Sequence, residues 1–107
     1  MITRIWKTWT TPSNAPAYEE LLLTEMFSGI AARNIPGYRS ISLGKRDVGD
    51  KIEFVTIMWF NSLEAVREFA GENYEVAVVP AKARALLSRF DAVSAHFQTV
   101  VKPPSCV

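Results

Sequence analysis

Apolar and polar residues alternate through "MITRIWKTWT", the pattern of a strand with one face in a core. The period then changes. Tyr18, Leu22 and Met26 recur every four residues, with Leu21 and Ile30 beside them, which predicts a helix from about residue 15 to 32. Ser13 or Asn14 suits its cap and Pro16 its first turn, and "NIPGY" ends it because Pro36 cannot continue a helix. "YRSISLGKR" and "KIEFVTIMWF" read as two strands of a hairpin joined by Asp47-Val48-Gly49-Asp50. Asn61, with Glu64 three residues on, predicts a capping box for a second helix. Leu63, Val66, Phe69 and Ala70 form its expected buried stripe, with Glu64, Arg67 and Glu68 in water. Pro80 opens a short helix to about Leu87, and "AVSAHFQTVV" is a last strand; the "VAVV" before Pro80 is too short to assign.

The order strand, helix, strand, strand, helix, strand predicts an α+β, ferredoxin-like fold: a four-stranded antiparallel sheet with helices on one face. Pairing Arg46 with Lys51 in the hairpin places Ser42 opposite Val55, Ser40 opposite Ile57 and Tyr38 opposite Trp59, on one face. Ile41, Leu43, Ile52, Phe54 and Met58 take the other. Both faces are apolar, whereas a sheet covered by helices on one side should be polar on the other. Trp9, Val93 and Phe97 add to the surplus. A patch of that kind calls for a cover. A homodimer joined through the sheet face supplies one; folding "VAVVPAKARALL" back over the sheet is the alternative.

Composition narrows the classes. The 107 residues make one domain, read as 1–102 with a tail at 103–107. A net charge of +1 carries no footprint for nucleic acid or anionic lipid. No run of residues approaches a membrane span or a signal peptide. The single cysteine, Cys106, forms no internal disulfide, has no zinc-ligand spacing around it and is not read as a nucleophile, so a cytoplasmic location and no metal site are expected. There is no GxGxxG, P-loop or GxSxG motif.

"MITRIW", "IPGYRSISLGKRD" and "EFVTIMWFNSLEAVREFAG" together resemble the antibiotic biosynthesis monooxygenase domain family, over nearly the whole chain to about Val101. The resemblance implies the dimeric α+β barrel fold. It also implies one of several activities: oxidation of aromatic, quinol-like substrates by O2 without a cofactor, or haem degradation. In the haem-degrading members an Asn on the first strand, a Trp and a His act together. Here the first strand reads "RIWKTW", Phe69 stands where the Trp would be and Val79 where the His would be. No axial ligand is evident, so no cofactor is expected.

His96, the only histidine, titrates near neutrality and is the candidate general base for a phenolic or enolic substrate. It is also readable, and first of all, as a hydrogen-bonded strand residue at the dimer seam or sheet edge. Arg4 beside Trp6 can hold an anionic aromatic ligand by charge and stacking, or make a cation–π contact on the sheet rim. Trp59 and Phe69 are first packing residues, then candidate pocket walls, and Tyr38 offers a hydroxyl that can orient a ligand. The expected function is a cofactor-independent monooxygenase-like enzyme acting on a small aromatic or quinol substrate. The alternative is a non-catalytic dimer that binds a small molecule or a partner.

Overall fold

The computed structural model describes residues 1–102; the expected tail at 103–107 lies outside the described residues. The first strand, β1 (Ile2–Thr10), leads into one helical rod made of α1 (Ala15–Leu21), a π-helical segment (Leu22–Met26) and α2 (Phe27–Ala32). The hairpin β2 (Tyr38–Asp47) and β3 (Ile52–Phe60) follows, then α3 (Leu63–Ala70), α4 (Ala81–Leu86), β4 (Leu87–Phe90) and β5 (Ala95–Gln98). The sheet is antiparallel, in the order β2-β3-β1-β4, with β5 also on β1. This is the ferredoxin-like α+β arrangement with one difference. The fourth position is shared by two short strands, β4 against Thr8–Thr10 and β5 against Ile2–Ile5. Asp91 marks the break, its amide donating to the Lys7 carbonyl over 3.0 Å. The four residues of β4 are too few to show a strand period, so the sequence ends a helix at about Leu87 and assigns no strand there.

The hairpin corrects the expected register by two residues. Arg46 faces Glu53 and Ser42 faces Ile57. The turn is tighter than expected: Val48 donates its amide to the Lys51 carbonyl over 3.0 Å, and Gly49 takes φ +106°, as a two-residue turn requires at its first position. An even shift leaves every side chain on its expected face. Tyr38 is the exception. A bulge between Tyr38 and Ser40 sets Tyr38 opposite Phe60, so it packs on the helix side with its ring centroid 5.8 Å from that of Phe60. The cap of α3 is Ser62 rather than Asn61; its Oγ accepts from the Ala65 amide over 3.3 Å. Leu63 is exposed, and Ala65 with Val66 supplies the buried stripe.

The helix side holds two clusters. Tyr18, Leu21, Leu22, Phe54 and Ala83 form one; Met58, Phe60, Ala65 and Val66 form the other. Burying a side chain such as Phe54 or Phe60 contributes about 1.5–3 kcal/mol. The rod follows the expected 15–32 range, but its π segment adds a residue to one turn. That brings Phe27 to the inner face beside Met26. Gly37, at φ +84°, joins this rod to the hairpin, and its carbonyl accepts from the Asn61 amide over 2.7 Å. A Cβ there would stand 2.7 Å from the Ala65 Cβ. Gly37→Ala is expected to cost about 2 kcal/mol or more, from left-handed strain plus overlap. Thermal denaturation against wild type measures it, and an unchanged midpoint would mean that the turn relaxes freely.

The segment before and through α4 does not cross the open sheet face. Val79, Ala83 and Leu86 pack into the cluster around Tyr18 on the helix side. Thr10 Oγ1 donates to the Leu86 carbonyl and fixes that end to β1. The other face of the sheet therefore keeps Ile5, Val55, Ile57 and Trp59 uncovered in the protomer, with Phe97 52% exposed beside them.

Candidate functional site

Between the two clusters lies a cavity of about 60 Å³. Its floor is the helix-facing side of the sheet, where Arg4, Trp6, Thr56 and Met58 line it. Its roof is the helical rod, through Leu22, Met26, Phe27 and Ile30, and Phe69 of α3 closes one side. Three of those rod residues stand in or against the π segment, so the extra residue shapes the roof. The volume suits a few waters and falls well below the few hundred cubic ångströms typical of small-molecule sites.

Arg4 dominates the chemistry. It is 3% exposed on a central strand. Its Nη1 donates to the Tyr74 carbonyl over 2.6 Å and lies 2.9 Å from His96 Nε2. Its guanidinium carbon is 5.4 Å from the centre of the Phe69 ring. No carboxylate pairs with it among the described residues. Burial lowers its pKa to about 10, which still leaves it charged at neutral pH. A buried cation is costly unless a counter-charge replaces its lost water, and the described partners of Arg4 are neutral.

His96 pairs with Arg4 across β5 and β1, on the helix side of the sheet and away from the open face. A guanidinium has no acceptor, so Nη1 donates and Nε2 accepts. The ring is then neutral with its proton on Nδ1. Burial lowers its pKa first and the Arg4 charge second, against smaller opposing effects of Glu75 and the Ser94 backbone. The Tyr74 ring, 5.0 Å away between centroids, covers one side. The lone pair a base would use is thus engaged by Arg4.

The sign of the pH effect follows. The folded ring resists a proton that the unfolded chain accepts near pH 6.5. The contribution of His96 to stability is complete above that value and is lost as the pH falls toward the lower folded pKa. Between about pH 7 and pH 5 the melting temperature of the wild type is expected to fall more steeply than that of His96→Gln, whose amide oxygen can accept from Arg4 without titrating. Parallel pH profiles would show that the ring is not held neutral.

The structure therefore brings Arg4, Trp6 and Phe69 to one cavity, with His96 behind Arg4. Trp6 is tied in place by Nε1 donating to the Asp91 carbonyl over 2.6 Å. Two other candidates stand elsewhere. Trp59 pairs with Thr3 and Ser40, and that strand parity puts it on the open face. Tyr38 packs on Phe60 because of the bulge. Sequence reading missed Ser94, buried on the cavity wall, and Tyr74, whose carbonyl holds Arg4. Ser94 was visible by its strand parity with His96, but nothing local marked its burial. Among the described residues no three His, Cys, Asp or Glu side chains gather as metal ligands, and no helix is long and apolar enough to cross a membrane.

No family model matches the sequence, and no curated protein is similar to it at a significant level. Solved structures do share its fold. Rv0793 from Mycobacterium tuberculosis superposes with a TM-score of 0.62 at 21% identity, over 94% of this chain and 96% of that one. A mutant of SnoaB, a cofactor-independent oxygenase from Streptomyces nogalater, gives 0.61 at 18% identity, over 96% of each chain. The haem degrader MhuD from Mycobacterium tuberculosis gives 0.59 at 17% identity, over 96% of this chain and 99% of that one. The chain thus has the α+β fold of antibiotic biosynthesis monooxygenase domain proteins.

Proposed function

We propose that the protein is a cofactor-independent, monooxygenase-like enzyme acting in the cytoplasm on a small aromatic or quinol substrate, which it binds as an anion against Arg4. The carrying observation is the buried guanidinium, which has no carboxylate partner among the described residues, beside an apolar cavity. A cation in that setting favours the ionised form of a phenol or enol. An electron-rich carbanion or phenolate can reduce O2 itself, so the chain need only ionise, orient and shield it. In such a step a C–O bond forms at the substrate carbon and the O–O bond breaks. One oxygen stays as a carbonyl, and the other leaves as water with the two hydrogens lost by the substrate.

In this reading Arg4 is the anion holder, Trp6 and Phe69 are walls, and His96 positions Arg4. His96 serves as a base once the entering substrate oxygen draws Arg4 away from Nε2. Entry of a ring requires the roof to yield, and Met26 with the π segment is the adaptable part of it. Tyr38 and Trp59 leave the site; Trp59 belongs to a homodimer seam that covers Ile5, Val55 and Ile57. The similarity to SnoaB agrees with this reading. Haem fits these residues poorly: the one histidine is engaged by Arg4, Val79 packs in the core, and the cavity is small.

The test is O2 uptake with a panel of hydroquinones and naphthols, comparing wild type with Arg4→Met. Uptake above the buffer rate that disappears in the variant is the expected result. Saturable binding of the same compounds without uptake would favour the non-catalytic binding protein instead.

A further inference from the structure

Ser94 stands on the cavity wall, 4% exposed, and its buried Oγ has no hydrogen-bond partner among the described residues. Its position is well supported. The Ser94 amide donates to the Glu75 carbonyl over 2.7 Å, and the Ala77 amide donates to the Ala92 carbonyl over 2.9 Å. The bridge between Val76 and Val93 lies between these bonds. Ser94 is thus held on the wall of an apolar cavity by backbone pairing, one residue before β5, with its Oγ shielded from solvent. Buried hydroxyls are nearly always bonded, and alanine would fill this place without an orphaned group. Arg4, on the same cavity, is a cation without a counter-charge among the described residues. A donor and a cation that share an apolar pocket complement a ligand with two acceptor oxygens and one negative charge.

We propose that Ser94 is a specificity-determining residue, and that the pocket takes an apolar body bearing a delocalised two-oxygen monoanion: a carboxylate, or the enolate of a 1,3-dicarbonyl compound. Arg4 holds the charge and Ser94 donates to the second oxygen. This rests on the anion-binding reading of Arg4 and narrows it. A simple phenolate, with one oxygen, engages only half of the pair.

Calorimetric titration of the full chain with benzoate, and with the enolate of benzoylacetone at a pH where it is ionised, tests this. Benzamide is the neutral control. Wild type is expected to bind at least one anion saturably and benzamide not at all. Which anion binds identifies the source of the two oxygens. Ser94→Ala should weaken that binding about tenfold, the loss of one hydrogen bond to a charged group. Its melting temperature should equal or exceed that of wild type, because no protein contact is lost. A lower melting temperature with unchanged affinity would make Ser94 structural and overturn the proposal. So would equal binding of benzamide, or no binding of either anion by wild type. Binding that depends on Arg4 but not on Ser94 removes the Ser94 assignment and leaves the broader reading standing, which O2 uptake with hydroquinones judges separately.

Discussion

Arg4→Met is expected to abolish anion binding and the O2 uptake that depends on it. Among the described residues the guanidinium is the only charged group on the cavity wall, and most of the other wall residues are apolar. Its attraction for an anion is therefore little screened, and removing it leaves the bound anion buried and unpaired. Losing one partner of such a pair costs about 2–5 kcal/mol, so affinity should fall about 30-fold or more. Methionine keeps an unbranched apolar stem in place of the arginine stem and omits the guanidinium. The fold gains from losing a desolvated charge and loses the donor to Tyr74 and His96, so these effects oppose each other. Circular dichroism should show a folded variant. Arg4→Lys should be intermediate, since an ammonium keeps the charge but lacks the planar fork that serves several acceptors at once. Wild-type uptake or affinity in a folded Arg4→Met protein would remove Arg4 from the mechanism.

Ile57→Lys should convert the proposed homodimer into monomers. Ile57 lies between Ile5 and Ser42 at the middle of the open face, with Val55 and Trp59 on its own strand. The hairpin end of that face is polar, where Arg46 and Lys7 flank the buried carboxylate of Glu53 and Arg89 covers Trp9. The apolar part is thus bounded and central, as the core of an interface is. A lysine there would lose its water in the seam without a partner, weakening association by about 100-fold or more. Sedimentation at micromolar concentration should give a dimer for wild type and a protomer for the variant. The side chain points away from the helices, so the protomer should keep its secondary structure. A wild type that sediments as a lone, folded protomer would exclude the interface.

Most of the architecture was readable from local pattern. Alternation marked β1 to β3, the four-residue spacing marked the rod, and Pro36-Gly37 marked its end. Errors fell where one residue decides the outcome. The hairpin turn moved by one residue at each side, Ser62 replaced Asn61 as the cap, and the bulge beside Tyr38 reversed one side chain. In β4, four residues were too short to show a period.

The candidate site divides in the same way. Strand parity alone joined Arg4 to Trp6 and Ser94 to His96, because side chains alternate along any strand. Only the register of β5 on β1 placed His96 against Arg4, and only the π segment brought Phe27 into the roof. The contact of Arg4 with His96 joins residues some ninety positions apart, and Ser94 is held by the backbone of Glu75 on a different segment. Sequence determines which face a residue occupies, since that follows from the local repeat. What it meets there depends on how separate elements pack, which no local repeat encodes.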